Sequence, residues 1–239
     1  MKRRERVGEL LGLLARHYPD AHCELDYTTP LDLLIATILS AQCTDKQVNV
    51  VTRPLFAVCR RAEDYVALSQ AELEEKIRSI GFFRAKAKNI RACCARLLAD
   101  YGGEVPSTME SLTGLAGVGR KTANVVLGNI FGVNVGVVVD THVQRLSTRL
   151  GLTKANTPEK IEKDLIGLIP NEQWTIFSHW LIWHGRRRCT ARSPDCGGCE
   201  LRGICRSVDQ FGKKGGRVVG KGSSSVVRMK AIFLGGDKA

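Results

Sequence analysis

The chain has 239 residues, 44% of them hydrophobic, 25% charged and only 6% aromatic. That length suits one large or two small domains with a real core, and the composition excludes collagen-like, wholly disordered and membrane-spanning classes. A net charge of +12 points to a polyanionic partner, nucleic acid before membrane, and is silent about fold.

A basic start, Met1 to Arg6, leads into a segment with Val7, Leu10, Leu11 and Leu14 on one helical face. Glu9 interrupts it, and it is too short to cross a bilayer or to read as a secretory signal. The chain is therefore expected in the cytoplasm, where cysteines serve as thiols or metal ligands more often than as disulfides. Thr29-Pro30-Leu31-Asp32 supplies an N-cap, a proline at the first helical position and an acid in the first turn. The helix that follows is apolar on most faces, which places it centrally in the core.

Further helices are predicted at 45–58, 71–79 and 84–101, the last stopped by Gly102-Gly103. Ser107 and Glu110 read as a capping box for a short helix to Leu115. Another helix is predicted over 120–131 and stopped by Gly132, while the apolar run 133–139 has no decisive period. Helices at 141–150, 158–168 and 173–184 follow, with Gly185 expected to end the last. No strand alternation is present, so the fold class is all-α. From 212 onward Gly, Lys, Arg and Ser predominate, which predicts a disordered basic tail. Seven basic residues and one aspartate put half of the +12 in that tail.

Cys189, Cys196, Cys199 and Cys205 form C-x6-C-x2-C-x5-C, with Pro194, Gly197 and Gly198 to turn the chain between them. Four thiolates so spaced suit a structural zinc or a [4Fe–4S] cluster, and spacing alone leaves the two even. The other five cysteines share no pattern and read as small buried hydrophobes.

Leu115 to Thr122 joins two helices through a tight glycine turn that opens directly into a helix N-terminus. Gly117 and Gly119 permit close backbone approach, and the free N–H groups with Arg120 alongside suit one phosphate strand. An ordinary helical hairpin is the alternative. Lys121 lies in the first turn, where the helix dipole and partial burial favour a neutral, nucleophilic amine; a solvated lysine is the alternative. Asp140 precedes Thr141-His142-Val143 and reads first as an N-cap, a role compatible with an aimed carboxylate.

Together, L-x-G-V-G-R-K-T-A-N-V-V-L at 115–127, V-D-T-H at 139–142 and the cysteine loop resemble the endonuclease III family of DNA glycosylases. L-S-A-Q-C-T-D at 39–45 and H-G-R at 184–186 resemble it too, and the likeness runs in order from about residue 5 to 211. It implies the helix-hairpin-helix glycosylase fold. A six-helix barrel domain would span 22–133 and hold the hairpin at 108–131. An iron–sulfur domain would combine 134–211 with the N-terminal helix at 1–21, leaving 212–239 as the tail. It also implies a [4Fe–4S] cluster on Cys189, Cys196, Cys199 and Cys205.

By the same resemblance the partner is damaged duplex DNA, with no membrane and a monomeric protein. An oxidised pyrimidine would be flipped into a cleft between the domains. Lys121 would attack C1′ of the sugar to form an imine and Asp140 would stabilise developing positive charge, before β-elimination cuts the strand. Lys121 separates this branch from adenine-specific relatives, which lack a lysine there. Gln42 matches the glutamine that fills the space left by the flipped nucleotide, and Phe82 stands where a leucine wedge is common. From the residues alone, Gln42 reads as a helix end and Phe82 as a core aromatic. The remaining implied DNA contacts are Gly117, Gly119, Arg120, His142, Arg186 and Arg192.

The sequence departs from the family pattern at Ala116, where proline is usual, and in a Lys121–Asp140 spacing one residue longer than is common. Arg192 is the only base between Cys189 and Cys196, so Arg186 to Arg188 are expected to supply phosphate contacts, with a solvated helix end as the alternative. Two other readings are a mismatch-directed thymine or uracil glycosylase and a lesion-binding protein with weak catalysis.

Overall fold

The structure, a computed structural model, describes residues 3–211, and every regular element among them is helical. The expected tail at 212–239 lies outside the described residues. The first helix, α1 (Arg3–His17), buries Val7, Leu10 and Leu14 together with Arg6. The Arg6 guanidinium donates to Leu150 O at 2.6 Å and Gly151 O at 3.1 Å, fastening the N-terminal helix to a turn about 145 residues further along the chain.

Helix α2 (Pro30–Leu39) starts where expected. Thr29 and Asp32 form a reciprocal capping box, and the Asp32 carboxylate also accepts from Thr28 N and Oγ1. All residues from Leu31 to Leu39 are buried, because α2 runs through the middle of one core. Then follow α3 (Asp45–Val58), α4 (Ala62–Ala67), α5 (Gln70–Lys76) and α6 (Phe83–Tyr101). The sequence pattern did not single out α4, which has only six residues, too few for helical periodicity to register. Helix α5 ends at Lys76 and not at 79, since Ile77 and Ile80 turn inward to the core as a tight bend.

Helix α7 (Met109–Thr113) is capped by Thr108, whose Oγ1 accepts from Ser111 N at 3.2 Å, so the Ser107–Glu110 capping box does not form. After α8 (Arg120–Ile130), Gly132 at φ +65° releases the chain into an extended stretch. The rest comprises α9 (Thr141–Arg149), α10 (Pro158–Ile166), α11 (Trp174–Arg187) and the short α12 (Val208–Phe211). Gly185 does not end α11. It lies buried within the helix, where its missing side chain lets α9 come close.

Buried apolar residues of 3–211 fall into two clusters. One runs from Leu25 to Leu127 and is built from α2 to α8. The other joins Val7 to Ala21 with Val137 to Ile204, so α1 packs with the C-terminal helices. Gly128 on α8 marks where the two meet: a Cβ there would lie 2.2 Å from Thr175 Oγ1 at the start of α11.

The glycines give a paired prediction. A Cβ at Gly185 would sit 2.8 Å from His142 Nδ1 and 2.9 Å from an Arg145 nitrogen, so Gly185→Ala should cost about 1–3 kcal/mol by overpacking. Gly12, inside α1 with open space around it, should gain about 0.5–1 kcal/mol as alanine. Urea denaturation of the two variants checks both signs.

Candidate active site

A cleft of about 990 Å³ separates the two cores, and both line it: Gln42, Asp45 and Lys121 from one, Asp140, His142 and Arg186 from the other. An adjoining recess shares Lys121 and Asp140 and is walled by Val125, Asn129, Ser178 and His179.

Lys121 is brought there by the hairpin of α7 and α8. Leu115 and Val118 are buried and anchor the turn. Gly117 adopts φ +76°, and a Cβ there would come within 2.9 Å of Asn89 Cβ on α6, so glycine is required twice over. Gly119 faces open space, and no side chain caps the N-terminus of α8. Its backbone N–H groups are left to face solvent or an anion. Lys121 is exposed, so the partial burial expected of it is not found.

Arg120 also differs from expectation. Its guanidinium turns to Glu162 on α10, making two contacts of 2.9 Å between helices of the two cores. The Glu162 side chain is 11% exposed, and this pairing raises the Arg120 pKa. Sequence reading missed Glu162 because, on a charged amphipathic helix, it looks like another surface acid.

Asp140 is held by α9, which it caps: Oδ1 accepts from His142 N and Val143 N, both at 2.8 Å. The chain between Lys121 and Asp140 is pinned at two places before it reaches the carboxylate. Asn134 is tied to the start of α11 by Thr175 Oγ1 at 2.5 Å and by Asn171 Nδ2 at 3.1 Å. Val137 and Val138 are then buried, and Val138 N donates to Ser178 Oγ at 3.1 Å, which fixes the approach to Asp140. His142 is half-buried beside Asp140, and burial lowers its pKa.

His179, unmarked in the sequence, bonds Asn129 Oδ1 through Nε2 at 2.9 Å. Burial brings its pKa down to about 4, so the ring is neutral near pH 7. Gln42 and Phe82 are both exposed: Phe82, at 68%, caps the start of α6 and is no core aromatic, and Gln42 lies in the turn between α2 and α3.

The basic residues near the cysteine loop are mostly spoken for. Arg186 pairs with Glu24 and with Asp45 at 2.7 Å. Arg187 reaches Glu24 at 2.9 Å and lies over the Trp183 ring at 3.6 Å. Arg188 bonds Asp195 at 2.6 Å and Glu200 at 3.2 Å. A phosphate at these positions would have to displace carboxylates, so they are not the free ligands expected from a triple arginine. Arg192 is exposed.

None of the nine cysteines is in a disulfide. Cys189, Cys196, Cys199 and Cys205 line one pocket whose walls include Leu146, Leu150 and Leu201. Among the described residues no three His, Cys, Asp or Glu side chains are gathered tightly enough to hold a single metal ion. Four thiol donors on one leucine-walled pocket fit an iron–sulfur group, whose irons take cysteine thiolates. Burial pushes the Cys199 thiol up to about 11, so its thiolate form needs a compensating cation.

Fold and cleft define a class. The family model for HhH-GPD superfamily base excision DNA repair proteins matches residues 35–171, and that for the iron–sulfur binding domain of endonuclease III matches residues 189–205. The endonuclease III of Synechocystis sp. is 54% identical over 209 residues, covering 86% of this chain and 94% of that one. The Bacillus subtilis endonuclease III is 47% identical over 199 residues, 83% and 90% of the two chains. A solved non-covalent endonuclease III–DNA complex matches with a TM-score of 0.84 at 46% identity, over 89% of this chain and 100% of that one. A trapped endonuclease III–DNA covalent intermediate matches at 0.83 and 47% identity, over 88% and 99%.

The chain belongs to the endonuclease III family, and it is a bifunctional DNA glycosylase and abasic-site lyase of base excision repair with a [4Fe–4S] cluster.

Two measurements follow. Anaerobically purified protein should be brown and carry about four irons per chain; a colourless protein with one zinc would contradict the cluster. Between pH 6.5 and about 4 the unfolded chain holds a proton on residue 179 that the native state excludes. Acidification across that window should therefore destabilise the native state. His179→Gln should flatten this part of the stability–pH curve.

Proposed function

We propose that the chain excises oxidised pyrimidines from duplex DNA, with Lys121 as nucleophile and Asp140 as the stabilising carboxylate. The observation that carries this reading is the convergence of the two residues, from different cores, on one cleft and its recess. The Lys121 amine, having given up a proton, bonds to C1′ as the C1′–N1 bond breaks and the base leaves with the electron pair. The Asp140 carboxylate, aimed by two backbone N–H groups, opposes the positive charge that develops on the sugar. Opening of the sugar breaks the C1′–O4′ bond, O4′ takes up a proton, and the imine C1′=Nζ remains. Loss of a C2′ proton then expels the 3′ phosphate by cleavage of C3′–O3′, and water hydrolyses the imine to free the lysine.

The uncapped N-terminus of α8 and the open face of Gly119 suit a backbone phosphate of one strand. Gln42 and Phe82 occupy the space of the displaced nucleotide and the stack beside it, and His142 and Arg192 contact the flanking backbone. The barrel at 22–133 thus supplies the nucleophile and wedge, and 1–21 with 134–211 supplies the carboxylate and the cluster. Cys189, Cys196, Cys199 and Cys205 would hold the cluster, which when bound supplies a fixed scaffold for the loop. The protein acts as a cytoplasmic monomer; no helix of the described residues is long and apolar enough to cross a membrane.

Borohydride reduction tests the assignment. Wild-type protein should be trapped covalently on a duplex carrying an oxidised pyrimidine, Lys121→Ala should not, and Asp140→Asn should trap about 100-fold more slowly. Trapping of Lys121→Ala at the wild-type rate would falsify the choice of nucleophile. Wild-type activity confined to G·T or G·U mismatches would overturn the choice of substrate.

A further inference from the structure

We propose that Lys86 is a positioning residue that sets Gln42 and Phe82 as one two-pronged wedge, an inference that rests on the DNA-processing reading above. Gln42 at φ 54° and Phe82 at φ 59° are the two non-glycine residues with positive φ among those described. Such backbone is strained for a residue that carries a Cβ, and it persists only where the surroundings dictate it. The two residues lie forty positions apart in sequence, yet their turns touch: a Cβ on Gly81 would be 4.0 Å from Gln42 O.

Lys86 reaches both turns. Its backbone N–H donates to Phe82 O at 3.1 Å, closing the first turn of α6 on the strained residue. Its ammonium donates to Leu39 O at 2.8 Å and Ala41 O at 2.6 Å, and the second carbonyl belongs to the peptide that leads into Gln42. These carbonyls lie at and just past the C-terminal end of α2, where the helix dipole favours a cation. Lys86 is only 6% exposed, and no carboxylate pairs with it among the described residues. An ammonium buried without an acid partner costs free energy that packing alone would avoid with a leucine or methionine. Its geometry explains its presence: one side chain fixes where the α2 turn ends relative to the start of α6.

A wedge is needed only where a paired base must leave the stack. Lys86→Met should therefore lower kcat/KM by at least about tenfold on a duplex whose oxidised pyrimidine is paired with a purine. On a duplex with an abasic site opposite a second abasic site, where no base is estranged, strand cleavage should stay within about threefold of wild type. The fluorescence rise of a 2-aminopurine beside the lesion, which reports unstacking, should fall along with the first activity. In a double-mutant cycle, Lys86→Met should add little to Gln42→Ala, because both disable one device. Lys86→Gln keeps an N–H donor group, and as the milder variant it must show the same dependence on substrate if Lys86→Met fails to fold. Equal losses on both duplexes, or additive losses in the cycle, would overturn the positioning role. Wild-type inactivity on both duplexes would overturn the functional reading itself, and the proposal with it.

Discussion

The site depends on one carboxylate. Glu162 on α10 is reached by Arg120 through two contacts and by Asn124 Nδ2 at 3.4 Å, both from α8. The linker passes so close that a Cβ at Gly136 would lie 1.9 Å from Glu162 Oε1. Three segments therefore meet at an acid that is nearly buried, and the helix they fix is the one whose second residue is Lys121. A buried carboxylate is stable only while its partners stay in place. The ion pair thus locks the hairpin of one core against the carboxylate-bearing core, and with it the spacing of Lys121 from Asp140.

Much of the charge is matched within the molecule. The +12 that first suggested nucleic acid is half contributed by residues 212–239. Arg120, Arg186, Arg187 and Arg188 all face carboxylates, and Arg6 faces backbone carbonyls. A second buried network, Tyr18, His184 and Glu200, ties the end of α1 to α11 and to the residue after Cys199. What the uncapped α8 and the exposed turns at Gln42 and Phe82 add is geometric: backbone donors and protruding side chains on a rigid frame.

Local chemistry was legible in the sequence where it obeys local rules. The Thr29–Asp32 cap, the glycine turn before α8, the Asp140 cap and the cysteine spacing all concern residues within a few positions of each other. Features that need tertiary contacts were not legible. Gly185 looks like a helix stop until α9 is packed against it, and Thr108 rather than Ser107 caps α7 because the chain enters one residue later. Arg186 to Arg188 read as free cations because Glu24 and Asp45 lie far away in sequence. Lys86 and Glu162 carry no signal of their own, because alternation on an amphipathic helix cannot distinguish a solvated residue from one turned toward a neighbour. The left-handed backbone of Gln42 and Phe82 has no composition signal at all.

Whether the ion pair sets the active geometry is decided by the single-turnover rate of imine formation in Glu162→Gln, measured beside its affinity for the same lesion duplex. The substituted amide keeps the shape of the side chain but cannot hold Arg120 in a two-point ion pair. Imine formation should slow by about tenfold with DNA affinity undiminished, since the hairpin survives and only its placement loosens. Imine formation at the wild-type rate would contradict the claim that this pair fixes Lys121 against Asp140.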